Sequence, residues 1–189
     1  MASSNFVRVR CVVDINDCAN CSIDLLSFSA NDWWVPKYGH VKLNGEVVWK
    51  SAWLNGSYAA VILRGVNVMT VNLFNCTLQA PSRQFDTMAY AAGGTWVADH
   101  LQEIANGTVI VAVTADEPTN FLSDALPTLT ALGVNVTDLQ WRGAFAFIAQ
   151  KGFPAKTVYR KAATELEAFN DQPNIVATVS GRLVLLVMQ

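Results

Sequence analysis

Polar and apolar positions alternate strongly near the start of the chain. Phe-Val-Arg-Val-Arg-Cys-Val-Val, within residues 6–15, has the period of two of a half-buried strand. Residues 16–22 read as a Cys-rich turn and residues 23–30 as a second strand, interrupted by Asn31-Asp32-Trp33-Trp34-Val35-Pro36. Residues 40–43 and 46–50 flank Asn44-Gly45, a pair that suits the positive φ angles of a two-residue hairpin. Residues 58–63 and 66–74 predict two further strands separated by Arg64-Gly65. The period then changes. Trp96, Val97, His100, Leu101 and Ile104 fall at helical spacing over 94–104, and Asn106-Gly107 closes that element. The β-branched run 108–114 predicts a buried strand. Residues 123–132 place Leu126, Leu129 and Leu132 on one helical face, with Ser123 as N-cap, Pro127 in or near the first turn, and Gly133 as the stop. Leu139-Gln140-Trp141, residues 144–150 and residues 175–188 complete the sheets, with a polar break at Ser180-Gly181.

Many strands with two or three short helices predict an α+β fold. No repeat, low-complexity segment or linker divides the chain, so residues 1–189 are expected to form one domain. Hydrophobic residues make up 52% and charged residues 15%, ample for a large core. A chain of this size buries roughly 70% of its unfolded surface, so neither metal nor disulfide is strictly required for folding. A net charge of -2 without any Lys/Arg run argues against a nucleic-acid partner. The longest apolar stretch, 183–188, is far short of the ~20 residues that cross a bilayer, so no membrane insertion is expected. It reads as a buried final strand.

Residues 1–5 lack the basic and apolar regions of a signal peptide. Against that stand five Asn-X-Ser/Thr acceptors, at Asn20, Asn55, Asn75, Asn106 and Asn135, more than chance supplies, which favour a secreted, extracellular protein. Asn-Gly at 55 and 106 also suits turns for its own sake. Cys11, Cys18, Cys21 and Cys76 fit two disulfides in an oxidising compartment, at least one joining the N-terminal region to Cys76. Cys18-Ala19-Asn20-Cys21 also has the C-x-x-C spacing of zinc and redox sites. Zinc would need two more ligands from His40, His100, Cys11 and Cys76, and Asp14, Asp17 and Asp24 disfavour a reactive thiolate. Structural disulfides are the favoured reading.

Signs of catalysis are sparse. His40 and His100 lie in a strand and a helix pattern, as structural or surface histidines do. Gly93-Gly94 precedes a helix but is far short of a phosphate-binding fingerprint, and no nucleophile elbow, metalloprotease or Walker motif is present. Asp116-Glu117 ends a strand, where neighbours point to opposite sides and make poor acid/base partners. No enzyme activity, cofactor or metal is expected. What stands out is charge at the ends of apolar strands: Arg64-Gly65, Asp116-Glu117-Pro118 after 109–115, and Trp141-Arg142-Gly143 before 144–149. Arg64, Asp116 and Arg142 could meet at one edge, either as a binding site or as an Arg–Asp–Arg network tying strand ends together.

Arg64-Gly65-Val66-Asn67-Val68, Gln84-Phe85-Asp86-Thr87 and Asn106-Gly107-Thr108-Val109-Ile110-Val111 follow one another in order. Asp116-Glu117-Pro118, Ala131-Leu132-Gly133, Trp141-Arg142 and Lys151-Gly152 continue the series. Over 64–152 the chain thereby resembles the interleukin-like EMT inducer (ILEI) family. The resemblance implies a sandwich of two antiparallel sheets with short helices against one of them. Some members are small secreted signalling proteins. Another is the stem domain of protein O-linked-mannose N-acetylglucosaminyltransferase, which holds a β-linked N-acetylglucosamine through the Arg of Arg-Gly, the Asp of Asp-Glu and the Arg after Trp. These positions correspond to Arg64, Asp116 and Arg142, with Glu117 and Trp141 beside them.

Carboxylates accept from sugar hydroxyls, a guanidinium fork donates to sugar oxygens, and Trp141 offers an apolar face. Two departures are visible. Gly143 stands where the family usually has an acidic or amide residue, and the late cysteine of the secreted members is missing. The expected function is a lectin for N-acetylglucosamine- or galactose-type glycans; the alternative is a cytokine-like factor with a receptor partner. Lectins gain avidity from several sites, so a homo-oligomer is expected, with Trp33, Trp34, Trp49 and Trp53 as interface candidates or core residues.

Overall fold

The computed structural model describes residues 20–28, 37–53, 64–164, 167 and 172–180. The strand expected within 6–15, that at 58–63 and the segment 183–188 lie outside these residues, as do Cys11, Cys18, Trp33 and Trp34. The strands are β1 (Asn20–Leu26), β2 (Lys37–Leu43), β3 (Glu46–Trp53), β4 (Gly65–Asn72), β5 (Thr77–Leu78), β6 (Arg83–Phe85), β7 (Val109–Ala115), β8 (Ala144–Gln150), β9 (Val158–Ala162) and β10 (Asn174–Ser180). Helix α1 (Gly93–Glu103) and helix α2 (Leu126–Ala131) lie between them. Sheet one has the order β10-β1-β2-β3; sheet two has the order β5-β4-β7-β8-β9, with β6 also pairing β4. Every strand pair is antiparallel. The expected α+β sandwich, with its helices on one sheet, is what the chain forms.

Two cores explain the patterns. Between the sheets, Ile23, Leu25, Val41 and Leu43 face Met69, Val71, Val111, Val113 and Ile148. On the other face of the second sheet, Val66, Val68, Ile110, Ala112, Phe145 and Phe147 pack with Val97 and Leu101 of α1 and with Leu129 of α2. Strand β7 is central to that sheet and buried on both faces, so it reads as an unbroken apolar run rather than an alternating one. Asn44-Gly45 forms the expected hairpin, both residues at positive φ. Cys21 bonds Cys76 with Cα atoms 5.1 Å apart, tying β1 to the turn after β4. Closing a loop of this length contributes about 4 kcal/mol in the chain-entropy description. The bond consumes Cys21, which removes it from any zinc or C-x-x-C redox centre.

Two expectations require correction. Ser123 is not an N-cap: it begins a 3-10 turn, Ser123–Ala125, that runs into α2 with no side-chain cap, while Pro127 is accommodated in the first turn of α2. Leu139-Gln140-Trp141 is a turn rather than a strand, because Gln140 donates its N–H to Ala163 O and Gly143 returns to Gln140 O. Of the two readings open for Trp49, interface or core, the second holds: it is buried between the sheets.

A wedge joins the two sheets. The β7–β8 ladder stops at Val113↔Ala146. Beyond it, the end of the β1 segment takes the place of β8: Phe28 bridges Ala115 in parallel and donates its N–H to Thr114 O. The Ser27 hydroxyl accepts from Thr114 N–H (2.9 Å) and donates to Phe145 O (2.6 Å). The Thr114 hydroxyl in turn accepts from Phe145 N–H (3.0 Å). Backbone groups that lost their ladder partners are thus satisfied by two buried hydroxyls. Ser27→Ala strands the Thr114 N–H without its acceptor, and a loss of about 1–3 kcal/mol in urea unfolding is expected.

Candidate functional site

The wedge lies directly below the motif residues. Arg64 precedes β4, Asp116 follows β7 and Arg142 lies two residues before β8, so all three stand at one end of the second sheet. The register Gly65↔Ala115 places Arg64 beside Asp116. Past the wedge, both chains leaving the sheet adopt left-handed backbone: Asp116 at φ 61° and Arg142 at φ 57°. Asp tolerates that region; Arg rarely occupies it, and such conformations cost on the order of 1–3 kcal/mol and gather at functional sites.

Neighbouring contacts hold this geometry. Glu117 is almost wholly buried (1% exposed), and one of its carboxylate oxygens accepts from the N–H and hydroxyl of Thr119 while the other accepts from the Arg142 N–H. The side chain expected to touch ligand therefore fixes the Arg142 backbone from below. On the other side, Arg64 makes a two-pronged pair with Asp86, Nε to Oδ1 at 3.0 Å and Nη2 to Oδ2 at 2.6 Å. Asp86 also accepts from the Met88 and Ala89 N–H groups, which makes its loop a fixed support. Thr87 stitches that loop to the one carrying Asp116, donating its hydroxyl to Pro118 O and accepting at its carbonyl from Phe121 N–H. Asp86 falls within Gln84-Phe85-Asp86-Thr87, but neither periodicity nor charge pattern marks it as the partner of Arg64.

Asp116 is 8% exposed, and its pKa is raised from 3.8 to about 6. Burial is the main cause; the Arg142 and Arg64 guanidinium groups oppose it, and the Glu117 and Asp86 carboxylates add to it. Both sequence-predicted arginines thus act on Asp116. Trp141, half exposed, stands next to Arg142. His100 is remote, its ring tilted against Phe85 with centroids 5.4 Å apart, its pKa lowered by burial and Arg83; His40 pairs with Asp24 at 3.1 Å.

The glycines of the motifs have packing reasons. A Cβ on Gly65 (φ 90°) would lie 2.2 Å from Phe85 O. A Cβ on Gly143 would lie 2.8 Å from Ala163 O, so the departure at that position closes the turn onto the end of β9. Gly93 and Gly94 admit Thr87 and the Phe121 carbonyl against α1, which explains the pair without a phosphate.

The fold and the charged strand-end cluster define an antiparallel sandwich with one elaborated pole. The family model of the interleukin-like EMT inducer matches residues 64–153, the span that carries the charged strand ends. No curated protein matches the chain.

Two outcomes follow from this geometry. Gly65→Ala cannot be accommodated by a side-chain movement, and a loss of about 3 kcal/mol or more, read by thermal unfolding, is expected. Between pH 3.8 and about 6 the folded protein keeps a proton on Asp116 that the unfolded chain releases. Stability contributed by that protonated group is complete below this window and lost as pH rises through it. Asp116→Asn should flatten this part of the stability–pH curve in denaturant titrations.

Proposed function

We propose that the protein is a non-catalytic, secreted carbohydrate-binding domain whose site is the Arg64–Asp116–Arg142 pole. The observation that carries this reading is the Asp116 carboxylate, buried on left-handed backbone and within electrostatic reach of the Arg142 and Arg64 guanidinium groups. A carboxylate so placed is a directional acceptor for vicinal sugar hydroxyls, and planar guanidinium groups donate back to the same ring. Asp86 and Glu117 hold the two arginines; Trp141 supplies an apolar face at the rim. The Cys21–Cys76 bond suits an oxidising compartment and supports the secreted reading. Among the described residues no helix is long and apolar enough to cross a membrane.

A receptor-binding factor is the second reading, and one feature favours it. Tyr90 and Trp96 pair at 5.8 Å and are both well exposed, the kind of aromatic surface enriched at protein interfaces. A glycan array separates the two readings, since a receptor-binding factor shows no saturable sugar binding.

For the sugar site, Asp116→Ala should fold and lose about 1.5–3 kcal/mol of binding, tenfold or more in affinity. Arg142→Lys keeps the charge but loses the fork, and should weaken binding as well. In wild type, binding should fall as pH drops through about 6, where Asp116 takes up its proton. Titration calorimetry with the array's best glycan reads all three. Unfolding of Asp116→Ala would instead mark the cluster as a structural network.

A further inference from the structure

Both half-cystines of the one bond described are the middle residues of glycosylation acceptors: Cys21 in Asn20-Cys21-Ser22 and Cys76 in Asn75-Cys76-Thr77. Asn75, Asn106 and Asn135 all have exposed side chains. At Asn75 and Asn135 the threonine two residues on donates its hydroxyl to the Asn Oδ1, at 2.8 and 2.9 Å, so the bonded atom is the oxygen and not the amide nitrogen. Asn106 precedes β7 and Asn75 follows β4, at the end of the sheet opposite Arg64, Asp116 and Arg142. Glycans there leave the charged pole open.

The three differ in one respect. A transferase must draw the tripeptide out of the fold into its own cleft. Asn106 and Asn135 stand on segments without a covalent cross-link: the first is held by backbone hydrogen bonds, the second by hydrogen bonds and by Val136 packed into the second core, and contacts of both kinds open and reclose. The middle residue of the Asn75 acceptor is buried, at φ 53°, and covalently fixed to β1. We propose that Asn106 and Asn135 are N-glycosylated, whereas Asn75 is glycosylated only in molecules whose Cys21–Cys76 bond has not closed. Disulfide closure and sugar transfer compete for the same tripeptide. In the transfer, the Asn amide nitrogen attacks the anomeric carbon of an oligosaccharide carried on a lipid pyrophosphate. A C–N bond forms, the anomeric C–O bond to phosphate breaks, the lipid pyrophosphate leaves, and the amide proton passes to the transferase. No oxidation is involved.

This inference rests on the secretory part of the reading above and not on its sugar site. The test is the full chain directed into the secretory pathway of a eukaryotic host. Occupancy at each Asn is read by peptide mass spectrometry after enzymatic deglycosylation in heavy-oxygen water. Cell lysates are used, so that variants retained for misfolding are still counted. The expected wild-type result is occupied Asn106 and Asn135 with Asn75 largely empty. Cys21→Ala leaves Asn75-Cys76-Thr77 intact but removes the partner, and Asn75 occupancy should rise several-fold with the other two unchanged. Wild type made under a membrane-permeant reductant should show the same rise. Equal Asn75 occupancy with and without the bond, or empty Asn106 and Asn135, would overturn the proposal. Localisation of the natural protein to a reducing compartment would overturn the secretory reading instead.

Discussion

The insertion of Ser27 and Phe28 beside β7, where β8 has parted from it, is the contact on which the charged pole depends. A sheet whose β7 and β8 stayed paired to their ends would deliver Asp116 and Arg142 as ladder neighbours, with ordinary strand backbone and side chains on fixed faces. Inserting a third chain between them ends the ladder early. Two hydroxyls, those of Ser27 and Thr114, take over the bonds that the ladder gives up. The chains on either side of the wedge then turn through left-handed residues. The same insertion bonds the first sheet to the second, so the sandwich and the pole are not independent constructions.

Around that wedge the charges are arranged in a hierarchy. Asp86 and Glu117 are committed: one carboxylate holds a guanidinium and a loop, the other holds a backbone N–H from within the protein. Asp116 keeps a proton more readily than an ordinary carboxylate because burial outweighs both arginines. Such an arrangement is costly for stability taken by itself, as buried charge usually is. A purely structural strand-end clasp could be built more cheaply from apolar residues. That difference supports the proposal that the cluster is a site.

Sequence patterns carried the fold where a single local rule decides the outcome. Asn44-Gly45 could only be a hairpin, and the run through β7 could only be buried. They were silent where tertiary contacts decide. Val158–Ala162 became the edge strand β9 although Val-Tyr-Arg-Lys-Ala shows no clean alternation, because its partner β8 supplies the pairing. Ser123 looked like a cap, yet a 3-10 turn ahead of α2 moved the helix start past it. Of the site, Arg64, Asp116 and Arg142 were legible as charges abutting apolar runs. Asp86, Ser27 and the inward role of Glu117 were not, since each acts through a partner distant in sequence.

The Cys21–Cys76 bond has a consequence for where this protein can be cut. It joins a residue inside the stretch matched to the family with one well before it. Excising 64–153 would leave the inner face of β4, β7 and β8 (Met69, Val71, Val111, Val113, Ile148) without its cover, and the wedge position empty. The fragment would present an apolar sheet surface to water, a sticky half-sandwich rather than a smaller version of the whole. The homologous segment and the cooperative folding unit therefore have different boundaries. The part that the family model matches holds most of the sheet with the elaborate pole. Its lid asks only for alternating apolar side chains, a demand that many sequences meet without resembling one another.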